Sequence, residues 1–336
     1  MTQSCSRWFC RRFLAVACAV MATAFLFTAP ALQAVEEDEK QYRKLAPGVE
    51  TVIRVERAEN ETGEKHPIVE LKAANIPWDP QEAAAKTRTL DEVADDAFFR
   101  RGVWHLQFAF KPLRMIRVDV PQQNGKMKKK LIWYMVYRIT NHGKHMTPKQ
   151  LPDQDWSDGG YEIKRVDDAK KMLANVGPHR FIPTFTLRSY ETQEEYRDQI
   201  IPVAKAAIYR KEQPPVEMEN FLNTVEISRK PIPVTTDEKD RSVWGVVTWM
   251  DIDSEIDYFA IYVKGLTNAY KWSDPAGAYK AGDPPGTGRK FVYKTLKLNF
   301  SRHGDEFEQR EEEIRLGIDD RAPGIPPQVD YEWIYR

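Results

Sequence analysis

The sequence predicts a mainly β protein built as an antiparallel β-sandwich with one or two short helices, with the immunoglobulin-like arrangement as one option. Three observations support this class. From Val103 onward, apolar and polar residues alternate with period two in many short runs. Turn signals rich in Gly, Pro and Asn separate many of these runs. Helical periodicity is confined to two short segments.

The first 34 residues predict a secretory signal peptide. A basic start is followed by an apolar run over 13–27 and then by small residues at Ala29, Ala31 and Ala34. The apolar run is shorter than the ~20 residues that a spanning helix needs, although an uncleaved anchor is the alternative. All three cysteines lie in this leader, at Cys5, Cys10 and Cys18. We therefore expect an exported chain without thiols, periplasmic or extracellular, and without a transmembrane segment after cleavage.

The charge balance excludes one class of partner. The chain has 50 basic and 50 acidic residues, and removal of the leader subtracts three arginines and no acid. Nonspecific nucleic-acid binding requires a strongly basic face. We therefore expect no nucleic-acid partner.

Residues 35–101 predict an irregular N-terminal segment with one hairpin and one short helix. The hairpin would pair 49–55 with 68–71 around a turn that ends at Gly63. The helix would begin at Thr89, because Glu92 follows three residues later as in a capping box, and it would end before Gly102.

Residues 102–336 predict the sandwich domain. A long ribbon would run from Val103 to Val120 and return over 131–140, with Asn124 and Gly125 in the turn because both tolerate positive φ. A connecting helix would begin at Pro202, since proline suits the first helical turn. Further strands are predicted at 181–188, 221–227, 242–250, 258–264, 291–300, 307–316 and 328–335.

An acidic run between two predicted strands suggests calcium. Calcium prefers several carboxylate and carbonyl oxygens that converge on one point. The run lacks the glycine of an EF-hand and is flanked by strands, so a solvated acidic turn is the favoured interpretation and a calcium site is the alternative. Its carboxylates are Asp251, Asp253, Glu255 and Asp257. No other cofactor is predicted.

Two tryptophans and one lysine cluster are the candidates for ligand binding. Trp156 and Trp272 occur in loop-like surroundings, where an aromatic face can be accessible, although buried aromatics are the more common case. At the tip of the predicted ribbon, a basic cluster could contact an anionic polymer or a lipid headgroup, or simply block edge pairing. The cluster consists of Lys126, Lys128, Lys129 and Lys130.

Four predicted strand sequences without reactive groups occur at Ile132–Asn141, Phe181–Phe185, Ser242–Trp249 and Tyr258–Asn268. They resemble strands of uncharacterised secreted β-sandwich proteins of planctomycete-type bacteria. The resemblance covers roughly residues 103–300 and implies a secreted sandwich of unknown role.

No catalytic signature accompanies these features. We therefore predict an exported, noncatalytic binding or structural module of the cell envelope, with an envelope polymer or another envelope protein as its partner. The alternative is a hydrolase that acts on envelope polysaccharide through two of the many carboxylates. The sequence does not determine the oligomeric state.

Overall fold

Two β-sheets face each other across a shared apolar core in the computed structural model. The structure describes residues 43–65, 98–152, 161–166, 177–278, 283, 286–305 and 307–336. The elements below all belong to the compact unit Gln41–Arg336. The predicted leader and the strand at 68–71 lie outside the described residues. The helix predicted from Thr89 lies outside them up to residue 97, and its predicted last turn is wrong, because Phe98–Arg100 form a strand that pairs with Gly63–Lys65.

Short and long strands account for most of the regular structure. Up to residue 166 they are β1 (Arg43–Lys44), β2 (Thr51–Val52), β3 (Gly63–Lys65), β4 (Phe98–Arg100), β5 (Val103–Trp104), β6 (Gln107–Phe110), β7 (Arg114–Pro121), β8 (Met127–Thr140), β9 (His145–Gln150) and β10 (Tyr161–Val166). From residue 177 they are β11 (His179–Arg180), β12 (Thr184–Ser189), β13 (Glu195–Arg197), β14 (Phe221–Leu222), β15 (Pro231–Ile232), β16 (Val243–Met250), β17 (Tyr258–Lys264), β18 (Tyr270–Ser273), β19 (Lys290–Ser301), β20 (Arg315–Leu316) and β21 (Tyr331–Tyr335). The α-helices are α1 (Pro202–Glu212) and α2 (Thr224–Arg229).

The strands form two main sheets. The first sheet has the order β14-β16-β8-β6-β2, and β7 also pairs with β8. The second has the order β1-β20-β19-β17-β12-β13, and β18 and β21 also pair with β19. Every pairing in both sheets is antiparallel except that of β14 with β16. Smaller sheets join β10-β9-β5, β11-β15 and β3-β4.

Aromatic side chains join the two sheets across the core. The rings of Trp133 and Phe259 lie 5.4 Å apart, and those of Phe110 and Phe300 lie 6.2 Å apart. Each pair takes one ring from each sheet, and edge-on ring contacts of this kind add to the free energy of burial. The predicted mainly β, antiparallel sandwich is therefore confirmed, whereas the immunoglobulin-like arrangement stays a prediction.

The long ribbon of the first sheet follows the prediction closely. β7 and β8 form a hairpin, and Gly125 in its turn has φ of 76°. β6 and β7 pair successively along the same strand β8, with Lys111–Leu113 between them. Pro112 lacks the N–H that would continue the ladder, so the predicted single run divides at this point.

Helix α1 covers the outer face of the first sheet. Ala204 and Ile208 are fully buried against Ile132 and Val136, and the predicted connecting helix is confirmed. At its end, the buried Glu212 carboxylate accepts hydrogen bonds from Tyr134 and Arg114, at 2.7 and 3.1 Å. Among the described helices, none is long and apolar enough to cross a membrane.

Two predicted strands are wrong in part. Over 221–227 only β14 is extended, because Asn223 caps α2 and Glu226 completes a capping box with it. Over 307–316 only β20 is extended. The preceding stretch contains a 3-10 turn at Glu311–Glu313, which begins after Arg310 in the left-handed region.

Gly265, directly after β17, is required by close packing. Its φ is +100°, and a Cβ added there would lie 2.3 Å from the carbonyl oxygen of Ile182. We expect Gly265→Ala to lower the free energy of unfolding by about 2–4 kcal/mol, because backbone strain and the clash act together. Gly125→Ala is the matched control, since its φ is also positive but its Cβ would meet nothing within 4 Å. Equal losses for the two variants in urea unfolding would contradict this account.

Candidate functional site

The acidic run forms the turn between β16 and β17. Asp251 adopts φ of 60° and pairs with Lys130 of the ribbon. Asp253 accepts the backbone N–H of Glu255, whereas Asp257 accepts that of Gly304. The carboxylates of Asp251, Asp253 and Asp257 therefore have separate partners.

A buried arginine lies beneath this acidic turn. Arg302 is fully buried, and one end of its guanidinium donates to the carbonyl oxygens of Ser254 and Ile256, at 2.7 and 2.9 Å. Its other end donates to the carbonyl of Gln309 at 2.8 Å. Among the described residues, no group of three or more His, Cys, Asp or Glu side chains could hold a metal ion. The calcium hypothesis has no geometric support here and stays a prediction.

The lysine cluster lies where the sequence places it. Lys126, Lys128 and Lys129 are exposed at the end of the β7–β8 ribbon. Lys130 is half-buried and is held by Asp251. Trp156, the other tryptophan predicted to bind a ligand, lies outside the described residues.

Trp272 belongs to an aromatic platform on the second sheet. Tyr270 and Trp272 of β18 lie directly opposite Tyr293 and Phe291 of β19. The four rings therefore share one face of the hairpin. Phe291 and Tyr293 are 48% and 37% exposed, which is unusual for large rings that lie side by side. We call these four residues the aromatic platform.

Three cations lie on the rings of the platform. Arg101 lies over Tyr270, Arg289 over Trp272 and Lys264 over Tyr293, each 3.6 Å from the ring centroid. The Arg289 guanidinium donates two hydrogen bonds to the Asp274 carboxylate, at 2.8 and 2.9 Å. Burial lowers the pKa of Lys264, whose ammonium makes no hydrogen bond or ion pair within the described part of the chain.

A groove opens beside the platform. Its volume is about 340 Å³, and we call it the platform groove. A larger cavity of about 600 Å³ opens between Glu59 and Tyr161, next to segments outside the described residues. The platform groove is lined by Asn60, Glu61, Gly63, Arg101, Tyr270, Lys271, Trp272 and Tyr335.

Glu61 is the centre of a buried polar cluster at the base of this groove. Its carboxylate accepts hydrogen bonds from Lys294 Nζ at 2.6 Å and from the Tyr335 hydroxyl at 2.9 Å. His105 Nε2 lies 3.8 Å from the other carboxylate oxygen. Burial raises the pKa of Glu61, but contacts with His105 and Lys294 outweigh burial and bring the pKa to about 2. Glu61 is therefore ionised at any physiological pH.

The segment 53–62 brings Glu61 to this position. Its first residue, Ile53, donates its N–H to Phe108 of the first sheet. Farther along, Arg54 O accepts the indole N–H of Trp333, and Glu56 O accepts from Lys294, both in the second sheet. The segment thus crosses from one sheet to the other, and Glu61 follows in the turn Glu59–Thr62.

Sequence analysis missed this cluster, although one signal was present. Lys294 precedes Leu296 and Leu298 by two and four residues in β19, so its side chain lies on the same, core-facing side of the strand. An inward lysine in an alternating strand requires a buried partner. The sequence does not identify that partner, because Glu61 lies 233 residues away.

Comparison of the chain with family models, with curated proteins and with solved structures finds no match.

Proposed function

We propose that the protein is an exported, noncatalytic module that binds an acidic polysaccharide of the cell envelope at the aromatic platform. The observation that supports this proposal most directly is the set of three cations over the rings of Tyr270, Trp272 and Tyr293. A pyranose ring can pack its C–H face on the exposed ring of Phe291, the fourth ring of the platform. The cations over the other three rings supply partners for carboxylate groups.

The local charge favours an acidic ligand over a neutral one. Four cations, Arg101, Lys264, Lys271 and Arg289, border the platform and its groove. Asp274 is paired with Arg289 and Glu61 with Lys294, whereas Lys264 and Lys271 form no ion pair within the described residues. The excess of positive charge would attract a polyuronate and hold it by salt-dependent contacts.

The ionised state of the Glu61 carboxylate supports a noncatalytic role. A glycosidase needs two carboxyl groups across the scissile bond, one of them protonated to act as the acid. Glu61 is the one carboxylate among the described lining residues of the platform groove. With a pKa of about 2, it is a poor general acid at neutral pH.

Export and destination are part of the same proposal. The predicted leader over 1–34 would direct the chain out of the cytoplasm, to the periplasm or the outside. Envelope polysaccharides occur in those compartments. The proposal also includes an immunoglobulin-like arrangement of the strands in the sandwich.

Titration with polygalacturonate, with dextran as the neutral glycan, tests this function. We expect the wild-type protein to bind polygalacturonate with an affinity that falls as salt rises, and not to bind dextran. Trp272→Ala should weaken binding by about tenfold or more, as for other central aromatic anchors. Lys264→Gln should reduce both the affinity and its salt dependence.

Phe307→Ala is the matched control for Trp272→Ala. Phe307 is 87% exposed and follows the opposite end of β19 from the platform. Its removal should leave the affinity unchanged. Equal binding by wild type and Trp272→Ala, or equal loss in Phe307→Ala, would contradict the proposed site.

A further inference from the structure

A second cavity lies on the other side of the buried Glu61 cluster. Its volume is about 200 Å³, and we call it the histidine cavity. Three apolar residues of the segment 52–55 form part of its wall. Its polar lining consists of Arg54, Arg57, His105, Gln107, His142 and Lys144, which includes no carboxylate among the described residues.

His105 is the innermost polar group of this cavity. Its side chain is 1% exposed, and neither ring nitrogen has a hydrogen-bond partner among the described residues. A buried polar group without a partner is costly, and such groups usually mark a missing water, ion or ligand. The nearest acid, Glu61, lies 3.8 Å away and is engaged by Lys294 and Tyr335.

The remaining lining residues make the cavity electropositive. His142 Nε2 lies 2.9 Å from Gln107 Oε1, which fixes the position of the imidazole. Burial lowers the pKa of His142; the charges of Lys144 and Arg138 act in the same direction, and that of Asp240 opposes them. Burial also lowers the pKa of His105, whereas Glu61 raises it and Lys294 and Arg57 lower it further. The lining itself carries three cations, Arg54, Arg57 and Lys144, and no carboxylate among the described residues.

We propose that the histidine cavity binds a small oxyanion, such as phosphate, sulfate or a low-molecular-weight carboxylate. Lys144 and Arg54 would supply charge at the opening, and His105 would supply a ring N–H donor inside. His142 would supply a second donor on protonation, because its Nε2–H otherwise donates to Gln107 Oε1. An anion lowers the cost of placing these cations together, and it raises the affinity of both imidazoles for protons. The volume suits one such anion and excludes a polymer. This site is distinct from the platform and does not depend on the polysaccharide proposal.

Titration of the full protein with sodium phosphate, sodium sulfate or sodium acetate tests the site. Sodium chloride keeps the ionic strength constant, and the readouts are the melting temperature and the ring NMR signals of the histidines. For at least one oxyanion, we expect a saturable rise in melting temperature, as ligands that bind the folded state produce. The signals of His105 and His142 should move along the same saturation curve.

Lys144→Gln and a matched lysine variant locate the effect. We expect Lys144→Gln to weaken the oxyanion affinity by about tenfold, the usual effect of losing one charged hydrogen bond. Lys128→Gln, on the exposed ribbon tip, should leave it unchanged. The proposal is overturned if no oxyanion gives a saturable response beyond chloride, or if Lys144→Gln responds as the wild type does.

Discussion

Replacement of Arg302 by methionine is expected to lower the free energy of unfolding by about 3–5 kcal/mol. Methionine keeps much of the apolar volume but removes every donor. The carbonyl oxygens of Ser254, Ile256 and Gln309 would then be left without their partner. Each buried acceptor without a partner costs about 1–3 kcal/mol. The acidic turn would also lose the cation beneath it, so the carboxylates of 251–257 would repel one another.

Urea unfolding followed by tryptophan fluorescence measures this loss. Arg310→Met is the matched control, because Arg310 is 53% exposed and forms a surface ion pair with Glu308. Surface pairs of this kind contribute little, and we expect a change within about 0.5 kcal/mol. If Arg302→Met unfolds at the same urea concentration as Arg310→Met, Arg302 does not hold the turn.

Lys294→Met is expected to have the second large effect, again about 3–5 kcal/mol at neutral pH. The ammonium of Lys294 is the closest cation to the buried Glu61 carboxylate. Without it, the buried carboxylate would lose its ion pair and keep the hydrogen bond from the Tyr335 hydroxyl. Lys290→Met, at the exposed start of β19, is the matched control and should be close to neutral.

The pH dependence distinguishes loss of this charge pair from loss of packing. Glu61 has a folded-state pKa of about 2, below its ordinary value of 4.5. In the wild type, its contribution is present above pH 4.5 and is lost as pH falls towards 2, an effect of about 3 kcal/mol. In Lys294→Met, burial should instead raise the pKa of Glu61. The variant should therefore differ most from the wild type at neutral pH, and the difference should shrink as pH falls.

The double variant Lys294→Met with Glu61→Gln completes the comparison. A neutral amide tolerates burial better than a lone carboxylate, so we expect the double variant to regain most of the lost stability. A double variant that is less stable than Lys294→Met would mean that the ion pair is not the source of the effect.

Period-two alternation predicted much of the fold, because the inward and outward faces of a strand differ in hydrophobicity from one residue to the next. The hairpin at Gly125 and the helix at Pro202 also have local signals. α2 could have been predicted in the same way, since Asn223 and Glu226 have capping-box spacing, but the apolar residues around them favoured a strand. The site differs because its partners are remote in sequence. The inward position of Lys294 has a local signal, but its pairing with Glu61 has none, and neither has the position of Arg302 beneath the acidic turn.

The aromatic platform was predictable in part. Trp272 is a candidate from sequence because its surroundings resemble a loop, and the structure places it in a short strand. Its ring neighbours and the cation on it come from pairing with β19, which the sequence does not specify. One signal in the sequence could have predicted the platform. Phe291 and Tyr293 are aromatic residues two positions apart in a predicted strand, so their rings lie on the same face, where a paired strand can place further rings.

Co-sedimentation of the purified protein with insoluble envelope polysaccharide, together with assay of released soluble sugar, tests the central claim most directly. A noncatalytic binding module should sediment with the polymer and release no sugar, and Trp272→Ala should remain in the supernatant. Release of soluble sugar by the wild-type protein would contradict the noncatalytic account, and equal sedimentation of Trp272→Ala would contradict the platform as the binding site.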